Sequence, residues 1–256
     1  MTETQLLPVV WTLASMTVAV LASLFVSTAQ LERLRITTGG RLLEQFLRVV
    51  YFIGVPYAAL LTGSLASIDM GVTGVGGSIL GWSPAEWLRG LSTGLTLAVI
   101  VLIPIGLASR QIARAGQPLG TDERSAGAVI VEAICAETHW AFYRAAPLIL
   151  LGDVYAAALF GGLLVSVEWI VILIRNGLSE SPGERQHWLR RGVLLALSAA
   201  VFALTQNVWL ALGWHLVLEL VWKVWLRRLV PRSLEPEHIS IGRASDPDVR
   251  PLQERS

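Results

Sequence analysis

Ionisable side chains inside long apolar blocks are the residues of this sequence most able to do chemistry. A charged group near the centre of a lipid bilayer is costly unless it faces a cavity or an opposite charge, so such groups usually mark a functional site. Carboxylates and imidazoles can activate a water molecule as general bases, and they also ligate zinc or manganese. They are concentrated in the second half of the chain: Glu132, Glu137, His139, Arg144, Glu168, His215, Glu219 and Lys223.

The composition indicates that membrane helices position these residues. Hydrophobic residues make up 54% of the 256-residue chain and charged residues 15%, whereas soluble domains carry about 25% charged residues. The apolar residues form blocks of about the 20 residues that a helix needs to cross a bilayer. We therefore expect an all-α polytopic membrane protein with about seven transmembrane helices, at about 8–29, 42–67, 88–108, 122–151, 153–174, 192–204 and 208–226.

The distribution of arginine predicts the orientation of these helices. Cytoplasmic loops are enriched in basic residues, and here the basic residues fall in alternate loops, with only Arg89 on the other side. The N-terminus is therefore expected outside and the C-terminus in the cytoplasm, as in an integral protein of a prokaryotic-type plasma membrane. The basic loops contain Arg33, Arg35 and Arg41; Arg110, Arg114 and Arg124; Arg175, Arg185, Arg190 and Arg191; and Arg227, Arg228 and Arg232.

Local signals predict three regions and several helix boundaries. We expect an N-terminal three-helix membrane region at 1–122, a four-helix membrane core at 123–230 and a disordered cytoplasmic tail at 231–256, which is polar and rich in proline. Ser83-Pro-Ala-Glu86 and Ser181-Pro-Gly-Glu184 are capping boxes that begin helices. Asp122 can cap the fourth helix, and Gly152-Asp153 forms the turn between the fourth and fifth helices.

The depths of the polar residues suggest that they share one layer. At about 1.5 Å per residue, Glu137 and His139 lie near the middle of the fourth helix, Glu168 near the middle of the fifth, and His215 and Glu219 near the middle of the seventh. Glu137 and Arg144 share one face of their helix, and His215, Glu219 and Lys223 form a stripe. Two interpretations remain: a functional cavity, or pairs that only specify helix packing.

Two stretches of the sequence resemble a known family. Thr205-Gln-Asn-Val-Trp-Leu-Ala-Leu-Gly-Trp-His-Leu-Val-Leu-Glu219 is similar to the last motif region of the CPBP family, the CAAX-prenyl-protease-type or abortive-infection intramembrane metalloproteases. His215 matches the histidine of the family's HxxxN motif, and Glu219 replaces its asparagine. His139-Trp-Ala-Phe-Tyr-Arg144 resembles the family's EExxxR motif in spacing and in Arg144. His139 and Trp140 stand where that motif has glutamates.

The resemblance covers about 123–228 and implies that the last four helices form a CPBP-like core. In that family, glutamate and histidine activate a water that attacks a peptide carbonyl, while a polar group supports the oxyanion. The family's FxxxH motif is missing, and Glu168 is the nearest candidate for its position. The resemblance therefore implies a divergent intramembrane endopeptidase with His139, Glu168, His215 and Glu137 as catalytic residues, and with Arg144 and Glu219 in structural or oxyanion-supporting roles.

Other interpretations of the same residues stay open. His139, Glu168, His215 and Glu219 could ligate a divalent metal, either zinc or manganese. The chain could instead be a non-catalytic scaffold or partner-binding relative, or a small transporter that uses the buried Glu and His residues. The expected partners are the lipid bilayer and either a membrane peptide substrate or a partner subunit. A nucleic acid is not expected, because a net charge of +1 provides no basic field.

Overall fold

The computed structural model of the chain describes residues 3–25, 30, 33, 36–74, 80–114, 124–176 and 182–229. These residues are helical with no β-strand among them, which confirms the all-α class. The elements are α1 (Glu3–Phe25), α2 (Thr38–Val49), α3 (Val55–Leu61), α4 (Pro84–Arg114), α5 (Ala126–Leu151), α6 (Val154–Asn176), α7 (Pro182–Thr205) and α8 (Val208–Leu229). A π-helical turn, Val50–Gly54, joins α2 and α3 into one continuous helix.

The lengths and hydropathies of these helices fit a polytopic membrane protein. Six helices in the described ranges are long and apolar enough to cross a bilayer. The seventh, α5, has 26 residues, about 39 Å of helix, but it carries the charged residues Glu132, Glu137 and Arg144. Because Glu137 and Arg144 are each 1% exposed, α5 keeps them away from lipid.

The helix boundaries follow local capping signals, with two differences from the sequence expectations. Ser83 and Glu86 form the predicted capping box by exchanging hydrogen bonds of 2.6 and 3.3 Å. Helix α5 begins at Ala126, and its cap is Ser125 rather than Asp122 because the Ser125 hydroxyl accepts from the Ala128 amide at 3.1 Å.

The second difference concerns the sixth predicted span. The predicted span at 192–204 is the last part of one helix of 24 residues, α7. Ser181, the first residue of the capping box predicted to begin this helix, lies outside the described residues, as does the predicted tail at 231–256. The helix after it, α8, begins where the Asn207 side-chain oxygen accepts from the amides of Trp209 and Leu210, at 2.9 and 3.2 Å.

Helix α5 is the centre of the packing. It contacts α1, α6 and α8, while α4 packs against α7 and α8. Three glycines of α4 allow the close approach of α8, since a Cβ atom at each position would lie 1.7–2.2 Å from a side chain of α8. Small residues commonly permit such approach between membrane helices. The glycines are Gly90, Gly94 and Gly106, which face Leu210, Trp214 and Trp225 respectively.

The loop after α3 docks on the turn between α7 and α8. The Val208 amide donates to the Gly71 carbonyl at 3.0 Å, and the Trp209 indole donates to the Val72 carbonyl at 2.9 Å. Gly71 has φ +71°, and a Cβ there would lie 2.6 Å from Phe202, so the contact requires glycine. The Trp11 indole donates to Ser64 at 3.2 Å. Segments predicted to be external thus meet at one end of the bundle, and the orientation itself stays a prediction.

Candidate functional site

His139 and Glu168 form a buried hydrogen-bonded pair between α5 and α6. Nε2 of His139 lies 3.0 Å from Oε2 of Glu168, and the two residues are 1% and 7% exposed. From the sequence, Glu168 was assigned by its depth in the membrane and as the nearest candidate for the position of the missing FxxxH motif. The structure brings it to the histidine that replaces a family glutamate, and we call these two residues the dyad.

Aromatic rings surround the imidazole of His139. The ring centroids of Tyr143, Phe52 and Tyr51 lie 4.3, 4.9 and 5.1 Å from it. Tyr51 and Phe52 both belong to the π-helical turn Val50–Gly54. Single π-helical turns are frequently found at functional sites, and this one places two consecutive aromatic side chains against the dyad.

The hydroxyl of Tyr51 links the dyad to two further helices. It lies 3.4 Å from Oε1 of Glu168, 3.2 Å from the Tyr143 hydroxyl and 3.4 Å from the Ser15 hydroxyl of α1. Ser15, Tyr51 and Tyr143 were not predicted from the sequence, because only acidic, basic and histidine side chains inside the apolar blocks marked a site there. A hydroxyl in an apolar block costs less than a charge, so its presence is a weak signal of a site.

The contacts of His139 favour one arrangement of its protons. Glu168 accepts at Nε2, which therefore carries the proton when the carboxylate is ionised. Nδ1 is buried and has no hydrogen-bond partner among the described residues. A proton on that nitrogen would be a buried donor without an acceptor, which costs free energy. The tautomer with the proton on Nε2 and a bare Nδ1 is therefore favoured, and it leaves a lone pair able to accept a proton.

Glu137 and His215 form a second buried pair, between α5 and α8. Nδ1 of His215 lies 2.9 Å from Oε1 of Glu137. Ser198 of α7 donates to the other carboxylate oxygen at 2.7 Å. The rings of His215 and Trp140 are stacked, with centroids 5.2 Å apart and planes at 15°. We call Glu137, His215 and Ser198, together with Arg144, the second cluster.

Arg144 belongs to this cluster, as the shared helix face predicted. Its Nη1 donates to Ser198 at 3.1 Å, and its Nη2 lies 3.8 Å from Oε2 of Glu137. The guanidinium also lies over the Phe202 ring, 4.4 Å from the centroid, a favourable cation–π position. Through these contacts the arginine supports the Glu137 carboxylate and joins α5 to α7, and none of them is with the dyad.

Glu219 and Lys223 lie in a third group toward the basic end of the bundle. Glu219 pairs with Arg124 at 3.1 Å and Arg190 at 3.7 Å, rather than with its helix neighbours His215 or Lys223. The Lys223 ammonium donates to the Arg124 carbonyl. We call this group the basic-end network; it consists of Arg48, Arg124, Glu132, Arg190, Glu219 and Lys223, with Glu132 paired to Arg48 and Arg124.

The four predicted metal ligands are distributed over these three groups. His139 bonds Glu168, His215 bonds Glu137, and Glu219 bonds two arginines. In the part of the chain that the structure describes, no three His, Cys, Asp or Glu side chains come together as metal ligands do. As arranged, these four residues do not fit one zinc or manganese centre, which takes at least three protein ligands in most catalytic sites.

The dyad is the part of this arrangement best suited to chemistry. It combines an oriented imidazole, a carboxylate that can stabilise the imidazolium, and phenol hydroxyls as adjacent donors. In the second cluster, Glu137 accepts from Ser198 and bonds His215, and Arg144 offers donors but no base, which suits a supporting role. Comparison of the chain with protein-family models, with curated proteins and with solved structures gives no match, so its similarity to the CPBP family is carried by the motif residues alone.

Proposed function

We propose that this protein is a membrane-embedded hydrolase that cleaves a peptide bond of a membrane-associated substrate with water. The observation that carries the proposal is the 3.0 Å hydrogen bond from Nε2 of His139 to Glu168, with Nδ1 left without a partner in the described residues. An imidazole held by a carboxylate at one nitrogen and bare at the other is the arrangement of a general base in hydrolases.

The proposed reaction uses the dyad as one unit. Nδ1 of His139 takes a proton from water while the water oxygen bonds to the carbonyl carbon, and Glu168 stabilises the imidazolium that forms. The tetrahedral intermediate then collapses, the C–N bond breaks, and the imidazolium returns its proton to the leaving amine. The hydroxyls of Tyr51 and Tyr143 are the donors nearest the dyad, and we assign them to support of the oxyanion.

The second cluster has a positioning role in this proposal. Glu137 and His215 join α5 to α8, and Arg144 joins α5 to α7 through Ser198. These bonds fix the helix that carries His139, and catalytic geometry tolerates little displacement. Glu137 and His215 therefore act through the position of α5, whereas the sequence alone suggested that they contact the substrate.

Specific observations favour each of the two alternative functions. The internal pairing of the second cluster would suit a non-catalytic scaffold, because paired buried charges can specify packing without chemistry. The hydroxyls of Ser15 and Tyr51 continue the dyad toward α1 with spacings of 3.4 Å, which would suit a proton relay in a transporter. The hydrolase is favoured over both because the ring of His139, with its bare Nδ1, lies beside the phenol rings of Tyr51 and Tyr143.

The proposal is tested by proteolysis in reconstituted vesicles. Purified protein is incubated with a set of single-span membrane peptides, and new termini are identified by mass spectrometry. We expect His139→Gln, Glu168→Gln and His215→Gln each to abolish cleavage, and the double variant of the dyad to be no worse than either single variant, because the two residues act together. His187→Gln, at a histidine outside all three groups, is the matched control and should retain activity.

Two results would contradict the proposal. One is cleavage by the Glu168→Gln protein within about twofold of the wild-type rate, since the loss of a residue that acts with a general base costs about 10²-fold or more. The other is proton flux through wild-type protein in the same vesicles without any cleavage, which would assign the dyad to a relay. The metal content of the active protein tests the expectation of a bound zinc or manganese.

A further inference from the structure

An apolar groove of about 530 Å³ runs between α6 and α7 on the outside of the bundle. Tyr155 and Leu173 mark its two ends on α6, while Trp188 and Ala203 mark them on α7. Neither residue of the dyad lines the groove, so it is separate from the site proposed above. Small side chains of α7, among them Ala196, line the groove.

The dimensions of the groove fit a hydrocarbon chain better than a helix. Its α6 wall from Tyr155 to Leu173 corresponds to about 27 Å of helix, so a volume of about 530 Å³ gives a mean cross-section of about 20 Å². Chains in contact at about 4.5 Å occupy a similar area, whereas a helix of about 10 Å diameter needs about 80 Å². A partner helix is therefore too wide to lie inside this groove.

One end of the groove carries an arginine on an aromatic platform. The guanidinium of Arg191 lies 5.3 Å from the Trp169 centroid and 5.8 Å from the Trp188 centroid, and both tryptophans line the groove. Among the described residues Arg191 has no carboxylate within 4.0 Å, although Glu132 and Glu168 interact with it electrostatically at longer range. Arg191 does not itself line the groove, but stacking holds its guanidinium beside the two tryptophans at that end.

The surroundings of Arg191 are positive. Among the described residues, the neighbouring basic-end network contains the cations of Arg48, Arg124, Arg190 and Lys223 and the carboxylates of Glu132 and Glu219. With Arg191, and with Glu168, which also interacts with it, these described residues supply five cations and three carboxylates. This end is also the one that the distribution of arginine assigns to the cytoplasmic face, where anionic lipids attract basic residues.

We propose that the groove binds one acyl chain of an anionic phospholipid whose phosphate lies at Arg191. The chain extends from the basic end over Ala196 toward the middle of the membrane. The negative headgroup is favoured over a zwitterionic one because it offsets the excess of positive charge. The tryptophans at this end suit the level of the headgroups, where aromatic residues of membrane proteins commonly lie.

Native mass spectrometry of the full chain tests this proposal. The protein is released from detergent containing equal amounts of phosphatidylglycerol and phosphatidylcholine with the same acyl chains. We expect wild-type protein to retain phosphatidylglycerol at least about fivefold over phosphatidylcholine, the ratio that one basic residue near the headgroups provides. Arg191→Gln should reduce the ratio to within about twofold, and Arg191→Lys should keep most of it.

The acyl-chain part of the proposal has its own variants. Ala196→Phe fills the groove and should lower retention of both lipids, whereas Ala128→Phe, at an exposed position of α5, should not. Arg89→Gln is the matched charge control at the opposite end and should leave the ratio unchanged. Equal retention of the two lipids by wild-type protein, or unchanged retention by Ala196→Phe, would overturn the proposal. A dimer that Ala196→Phe abolishes would assign the groove to a helix and would also overturn it.

Discussion

His139 and Arg144 lie on the same helix, and the fold neutralises their polarity in different ways. His139 is balanced by a single carboxylate of α6 and by aromatic rings. Arg144 is 1% exposed and shares a hydroxyl and a ring with α7 and a carboxylate with its own helix. Nε and Nη2 of Arg144 have no hydrogen-bond partner among the described residues, but a guanidinium only donates, whereas the bare Nδ1 of His139 can accept a proton.

The burial of Arg144 leads to a stability prediction. Arg144→Leu leaves the Glu137 carboxylate without its cation, and removing one partner of a buried pair costs about 3 kcal/mol or more. We expect a lower unfolding midpoint in detergent for this variant than for Arg89→Leu, because Arg89 is exposed. Equal midpoints for the two variants would mean that Arg144 and Glu137 contribute no net stabilisation.

At the scale of elements, the close contact of α5 with α6 sets the geometry of the dyad. Gly161 of α6 lies against the backbone of Arg144, where a Cβ atom would be 2.6 Å from Cγ and 2.9 Å from Cα. The absence of a side chain there lets α6 approach α5 closely enough for Glu168 to reach His139. A change at Gly161 is therefore expected to act on the dyad from a distance.

Adjacent glycines provide a matched test of this contact. Gly161→Ala forces the helices apart or strains them, and overpacking of this kind costs about 1–3 kcal/mol. A Cβ at Gly162 meets nothing within 4 Å, so Gly162→Ala should be neutral or stabilising by up to about 1 kcal/mol. Unfolding midpoints in detergent measure the difference. A Gly161→Ala protein as stable as Gly162→Ala would show that α6 does not need this close approach.

The sequence predicted the helices better than it predicted their partners. The hydropathy blocks, the capping box at Ser83 and the turn at Gly152 are reproduced, since each depends on residues close in the chain. The partner of Glu219 could not be read from its helix stripe, because Arg124 and Arg190 reach it from other segments.

The contribution of the first helices to the site was hidden for a related reason. Tyr51 looks like any apolar aromatic residue in its span, and only the π-helical turn and the packing of that turn and α3 on α5 bring it to His139. Ser15 reaches the same place from α1. Contacts of this kind depend on tertiary packing, which a single sequence with periodic hydropathy does not specify.

At the scale of the whole molecule, the distribution of arginine predicts that the basic-end network faces the cytoplasm. A reporter fused after Ser256 should then read cytoplasmic, and one inserted after Gly77 should read external, because basic loops are retained inside. Alkaline phosphatase and a fluorescent protein, which are active on opposite sides of a bacterial membrane, measure the two positions. An external C-terminus would overturn both the orientation and the number of spans.

The position of the proton on His139 is the most direct test of the dyad, since measuring it needs no substrate. Solid-state ¹⁵N NMR of histidine-labelled protein in lipid distinguishes protonated from bare ring nitrogens. The chain has four histidines, and the signal lost in His139→Gln assigns the ring. We predict a proton on Nε2 of His139 and a bare Nδ1, and a shift of the Nε2 signal in Glu168→Gln. A proton on Nδ1 with a bare Nε2, or a spectrum unchanged by Glu168→Gln, would contradict the dyad and the hydrolase proposed from it.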